Sequence, residues 1–384
     1  MRRMAPQGSG SSGRASVLTR GGDHSQHRSQ RILRMSLNSA TILTFLASAV
    51  ILTAVPSPDR PARVFRWLRH VLPWAVALAL LAWVFSRVPL GAFGEALSRG
   101  HFHWFIPAMA AVMAVIYLAD CFAIAKTFSW FTIPMSYKEV LRIRGASYLM
   151  SVVNYNLGQG AIILFAKRAK GLSLRLGTGT VLFLMGINLL VMVLLAAGAL
   201  ALGAAPKAAT LWPWVIGLLV LFIFYLGAVA SKPAFLSRIE LLQPILRAGV
   251  SGHLLALLVR LPHIALVLLA HLLGMLAFDL RPPMDVFFAY LPVMLLISAL
   301  PISPQGLGTA QVAAVFFFSA YAPGAPKEQA ATALAYSLTA SGTAMIFMLV
   351  IGLFWFRSAM KLLGLGAGGD DEAGRERGTE KGGG

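Results

Sequence analysis

Residues 145–166, GASYLMSVVNYNLGQGAIILFA, are long enough to cross a bilayer, yet both ends are basic and the middle is broken. Arg142 and Arg144 precede the segment, and Lys167, Arg168 and Lys170 follow it. Cytoplasmic loops collect Lys and Arg, so both ends belong on one side of the membrane. Asn154, Asn156, Gly158, Gln159 and Gly160 interrupt the apolar pattern where a spanning helix would be most apolar. A dip into the membrane and back accounts for both features; a single crossing accounts for neither. Unwound backbone at membrane depth persists only where protein or a wet cavity satisfies its polar groups. These five residues are therefore the first candidates for a substrate site.

The rest of the chain fits that setting. Of its 384 residues, 58% are hydrophobic and 12% charged, whereas a soluble domain carries roughly 25% charged residues. Several apolar runs approach or exceed the ~20 residues a helix needs to cross the hydrocarbon. The reading is an all-α, polytopic helical membrane protein. The net charge of +19 invites a nucleic-acid partner, but its distribution argues against one. Residues 1–69 hold eleven Arg against Asp23 and Asp59. Most other cations sit in short loops, where topology accounts for them, and no aromatic–basic platform for single strands is evident. Cys121 is the sole cysteine, so no intrachain disulfide forms, and no Cys/His set has zinc-ligand spacing. No metal and no cofactor are expected.

Charge and hydropathy divide the chain into a poorly defined N-terminal extension (1–59), a transmembrane domain (60–361) and a tail (362–384) expected to be disordered. Within the extension, residues 37–55 read as an extra span, or as a signal-like or peripheral segment if translation starts at Met35. Spans are expected over 71–88, 104–126, 177–203, 212–230, 252–278 and 329–356, with 127–144 as a basic cytoplasmic loop. Residues 286–322 are too long for one ordinary span, and PISPQGLG splits them in two. Arg357 and Lys361 belong in the cytoplasm, so 286–322 must begin and end outside. A second re-entrant hairpin entering from the opposite face meets that requirement; two full spans would give the same parity. The expected architecture is about six full spans plus two opposed re-entrant, broken-helix hairpins. Opposed broken helices in the two halves of a chain point to a transporter site at the midplane.

The motifs NYNLGQG and PISPQGLGTAQ resemble the flippase-like family built on the lysylphosphatidylglycerol synthase transmembrane region. Its members look like bundles with two broken membrane segments, the first commonly carrying a Pro/Gly–Glu motif. The second usually resembles Pro-x-x-Pro-Gly-Gly-x-Gly followed by Glu. Pro301, Ser303, Pro304, Gly306 and Gly308 fit that pattern, with Gln305 where Gly is common and Gln311 where Glu is common. Asn154, Gly158 and Gly160 fit the first motif loosely. The resemblance covers about residues 64–357 and implies translocation of a charged phospholipid between leaflets. Bifunctional relatives carry a following aminoacyl-transferase domain, for which the residues after Lys361 leave no room, so no enzymatic activity is expected. With Asn and Gln in place of Glu, the cavity is expected to prefer an anionic or neutral headgroup to a cationic one.

The substrate-binding candidates are thus Asn154, Asn156, Gly158, Gln159, Gly160, Pro301, Ser303, Pro304, Gln305, Gly306, Gly308 and Gln311. Helix ends there offer unpaired N–H groups to a phosphate, while Gly permits close approach. A structural kink at a helix crossing is the plainer alternative. Arg260 and His263 join them: Arg260 either coordinates phosphate with His263 assisting, or snorkels to the inner interface. Lys167 and Arg168 form a candidate cavity mouth, though positive-inside topology explains them as well. Asp120 reads either as a residue near the inner interface or as a proton or cation site. Asn188 reads as an interhelical hydrogen bond and Trp212 and Trp214 as an interfacial belt. Walker, HExxH and nucleophile-elbow motifs are absent, so ATP hydrolysis within this chain is not the energy source. The expected setting is a bacterial inner membrane with the C-terminus cytoplasmic. Membrane lipids, a phospholipid or a polyprenyl phosphate, are the expected partners, with another copy of the chain or a lipid- or glycan-modifying membrane enzyme as further candidates and a carrier of a small solute as the alternative function.

Overall fold

The computed structural model describes residues 62–153, 155–203, 210–299 and 302–362, with side chains described from residue 71 onward except at 153, 156 and 362. The expected extension (1–59, including 37–55), Asn154, Pro301 and the tail from 363 lie outside the described residues, and Asn156 is described in backbone alone. Twelve α-helices and no strand occur among the described residues. They are α1 (Ala62–Phe85), α2 (Leu90–Ser98), α3 (Phe102–Phe131), α4 (Tyr137–Val153), α5 (Tyr155–Lys170) and α6 (Leu174–Ala201). There follow α7 (Trp212–Ser231), α8 (Ala234–Ser237), α9 (Gln243–Ala277), α10 (Met284–Ala299), α11 (Thr309–Phe318) and α12 (Pro326–Leu362).

Five described segments are long and apolar enough to cross a membrane: α3, α6, α7, Glu240–Ala277 and Pro326–Lys361. A sixth crossing would need α1 and α2 together, which meet at a bend of 92°. The protein is an all-α, multi-pass membrane protein.

The chain turns at two faces. On the first, the end of α3 meets the start of α6 through Thr132 and Thr180, whose hydroxyls lie 2.5 Å apart. Ser173 caps α6, accepting from the Leu176 amide at 3.1 Å, and donates to Glu240. On the second face, the His101 amide before α3 donates to the Ala277 carbonyl at the end of α9 (2.9 Å). Asp279 beside it is held below the ordinary carboxylate range by hydrogen bonds from Arg281 and His101.

Both broken segments return to the face they left. The Glu139 carboxylate near the start of α4 lies 2.9 Å from the Lys170 ammonium at the end of α5, on the first face. Before α10, the Arg281 amide donates to the Tyr321 carbonyl after α11 (3.2 Å), on the second face. The hairpins therefore enter from opposite sides, and α10 and α11, at 16 and 10 residues, fall short of the ~20 that a full crossing needs. The first hairpin is longer than its apolar core suggested. Ser136 and Glu139 form a reciprocal cap, the Ser136 amide donating to Glu139 at 2.8 Å and the Glu139 amide to Ser136 at 3.3 Å. That box starts α4 at Tyr137 and takes Arg142 and Arg144 out of the expected loop 127–144.

Packing places the hairpins against long helices. α4 lies along α5 and α12, α3 along α9, and α10 against both α6 and α11. Gly308, at φ 86° before α11, presses on α1: a Cβ there would stand 2.9 Å from the Ala77 carbonyl oxygen and 2.9 Å from Leu80 Cβ. Both the dihedral and the contact resist a side chain. Gly308→Ala should lower stability by about 1–3 kcal/mol, read as a fall in the thermal unfolding midpoint in detergent. Gly186→Ala, in α6 with nothing within 4 Å, should leave the midpoint unchanged or raise it.

Candidate functional site

The loop of the second hairpin reaches the tip of the first. Gln305 sits at φ 51°, a left-handed conformation that favours glycine. Its side-chain amide donates to the Ser151 carbonyl near the end of α4. Gly306 follows at φ 70°, where a Cβ would come within 2.7 Å of the Ser298 carbonyl oxygen. Thr309 donates to the Gly306 carbonyl at 2.8 Å, and its hydroxyl lies 3.4 Å from that of Ser303. Pro304 is buried. Gln311 is fully buried and spent on the protein. It accepts from the Gly308 amide (2.6 Å) and donates to the Ser341 and Ser337 hydroxyls (3.1 and 3.3 Å). Its geometry is that of a helix cap tied to α12, not of a group open to a ligand.

A charged cluster lies deeper in the bundle. Asp120 of α3, Arg144 of α4 and Arg260 of α9 are 1%, 7% and 6% exposed. Arg144 Nε donates to Asp120 Oδ2 at 2.7 Å, and Arg260 Nη1 donates to Asp120 Oδ1. Arg260 Nε also donates to the Asn188 side-chain oxygen of α6 at 2.6 Å. His263 Nδ1 lies 3.3 Å from the Ile116 carbonyl and 4.0 Å from Asp120. One carboxylate faces two guanidiniums, so the cluster carries one excess positive charge. Arg144 stacks over Tyr148 at 5.1 Å, and its Nη1 is buried with no hydrogen-bond partner among the described residues.

This cluster forms one wall of a narrow cavity of about 10 Å³, the room that one water needs. Tyr155 and Gln159 of α5 line it, together with Asn188, Ile124, Val181, Leu184 and Met185. A larger cleft of about 90 Å³ opens at the second face beside Glu95, Arg99, Asp279 and Glu328. Its charges are committed elsewhere: Glu95 to Arg99, Asp279 to Arg281, and Glu328 to the Ala325 amide. The smaller cavity, with charge in excess and a broken helix beside it, is the better candidate.

Several expectations change at this site. Arg260 does not snorkel: it lies 17 residues from each end of α9 and is paired in the interior. Asp120 is an interior residue holding two guanidiniums, not one at the inner interface. Gln159 faces the cavity, whereas Gly158 packs where a Cβ would strike Ser151. Gly160 has open space around it. Lys167 and Arg168 are exposed at the base of the hairpin, eight and nine residues past Gln159, or about 12–14 Å along the helix. Asn188 makes the expected interhelical bond, to Arg260.

Arg144 and Tyr155 were missed. Arg144, Ser147 and Ser151 recur at i, i+3 and i+7, and all three are buried. That spacing is one polar helix face, the signal by which Arg144 separates from a cytoplasmic flank.

These features define a multi-pass helical membrane protein with two opposed broken hairpins and a buried polar site. The family model described as "Lysylphosphatidylglycerol synthase TM region" matches residues 71–352, and the chain belongs to that family. No curated protein and no solved structure matched it.

The cluster gives a stability test. Asp120→Asn leaves two buried guanidiniums without a counter-charge and should cost about 3–5 kcal/mol, measured by thermal unfolding in detergent. Asp120→Asn combined with Arg144→Gln should cost less than the two single changes summed.

Proposed function

We propose that this protein moves a lipid with an anionic phosphate headgroup between the leaflets of a bacterial inner membrane. One observation carries the reading: an excess positive charge, buried among α3, α4 and α9, lines a cavity beside a broken helix. An ionisable group at such depth is expensive, and in membrane proteins it marks a substrate or ion pathway. Arg144 and Arg260 would hold the phosphate, Tyr155 and Gln159 would contact its polar substituents, and the tails would stay in the bilayer. A phospholipid and a polyprenyl phosphate both fit this description.

The opposed hairpins supply the moving parts. Rocking of one half against the other would expose the cavity to each leaflet in turn, with the Gln305–Ser151 bond between the hairpins broken and remade. The first face bears Lys138, Arg168, Arg175, Arg238 and Arg357, against Arg99, Arg281 and Lys327 on the second. By the positive-inside rule the first face is cytoplasmic, and so is the end of α12. On this reading the protein is a carrier and not an enzyme, and its partners are membrane lipids.

Labelled phosphatidylglycerol, a polyprenyl phosphate and an aminoacylated lipid, each followed between leaflets of proteoliposomes, test the proposal. The anionic lipids should cross faster than in protein-free vesicles. Arg144→Gln and Arg260→Gln should each slow that movement at least tenfold, about 1.4 kcal/mol of barrier, in protein that remains folded. No acceleration for any lipid would remove the reading in favour of a membrane partner for another enzyme. Movement confined to the aminoacylated lipid would reverse the expected charge preference.

A further inference from the structure

We propose that the Asp120–Arg144–Arg260 cluster selects its ligand by net charge, accepting a phosphodiester monoanion over a phosphomonoester dianion, with Asp120 as the specificity-determining residue. This rests on the anionic-headgroup reading and narrows it.

The argument begins with the charges that face the cavity from each surrounding helix. They are Asp120 on α3, Arg144 on α4 and Arg260 on α9; α5 contributes Tyr155 and Gln159, and α6 contributes Asn188. His263 stands just behind Asp120, and an imidazole is neutral at pH 8. Among the described residues no other charged side chain lines the cavity. The wall therefore carries one positive charge.

A headgroup with one negative charge brings the buried set to neutrality. A headgroup with two leaves an uncompensated negative charge where desolvation is costly. Asp120 sets this balance, because it cancels one of two guanidiniums that would otherwise both face the ligand. Arg144 supplies the second, independent observation. Its side chain is more than nine-tenths buried and lines the cavity, and its Nη1 has no hydrogen-bond partner among the described residues. Its Nε is already committed to Asp120, which leaves Nη1 as an unspent donor for a phosphate oxygen. Asp120 thus orients one donor while limiting the total charge.

The test uses the full chain in nonionic detergent at pH 8 and reads binding by ligand-dependent thermal stabilisation. The probes are dihexanoyl-phosphatidylglycerol, with one negative charge, and dihexanoyl-phosphatidic acid, a monoester close to two at this pH. The unaltered protein should bind the monoanion about tenfold more tightly or better. Asp120→Asn, which raises the wall to two positive charges, should turn the preference towards the dianion. Arg144→Gln, which lowers it to zero, should weaken both. The double variant returns the wall to one positive charge and should recover the preference for the monoanion. A purely structural role for Asp120 predicts no such recovery. If Asp120→Asn alone does not fold, Arg144→Gln and the double variant still decide the matter. Equal affinity for both lipids, no stabilisation by either, or a double variant without recovered preference would overturn the inference. Binding is read without transport, so charge-dependent binding with no movement in vesicles would defeat only the translocation reading. Movement that ignores headgroup charge would leave translocation standing and defeat this one.

Discussion

Removing a carboxylate and two guanidiniums from water costs several kcal/mol per ion. Geometry around Asp120 offsets that cost: each carboxylate oxygen accepts from a different arginine, and the Asn188 side-chain oxygen accepts a further hydrogen bond from Arg260 Nε. The cluster therefore needs α3, α4, α6 and α9 in one arrangement, because each brings a group that the others require. α4 can bring Arg144 to that depth only because its hairpin enters the bundle from the first face. The charge set and the re-entrant topology are two sides of one constraint.

Backbone polar groups impose the second constraint. A hairpin ending inside the bilayer leaves helix ends without water, and each end must find protein partners. Here the second hairpin serves the tip of the first as well as its own. Gln305 satisfies a carbonyl near the end of α4, and Gln311 caps α11 while tying it to α12. Gln305 does so from a left-handed backbone that glycine would adopt more readily. Such strain persists where surrounding contacts over-determine it, and it recurs at sites whose mechanism uses it.

Much of this plan was legible in the chain. The two broken segments announced themselves through glycine, proline and amide residues set in apolar runs. Their opposite entry followed from where lysine and arginine fall, because topology is written locally in loop charge. Arg260 stood out for its depth. Three features were obscured for physical reasons. Arg144 lies beside Arg142 and reads as part of a basic flank until its i, i+3, i+7 relation to Ser147 and Ser151 is considered. Asp120 acquires its meaning from partners 24 and 140 residues away, a distance no local pattern spans. Gln311 has the chemistry of a ligand group, and only the serines of α12 show where that chemistry is spent.

The separation of those partners along the chain has a consequence for how the protein is made. Asp120 and Arg144 leave the ribosome 24 residues apart and can enter the bilayer as a pair with no net charge. Arg260 follows Asp120 by 140 residues, a delay of roughly 7–28 s at about 5–20 residues per second. Between Arg144 and Arg260 the nascent membrane bundle thus carries a neutral centre. It becomes a positively charged one only when α9 docks, so the charge of the site is set before the second hairpin and α12 have closed the bundle around it.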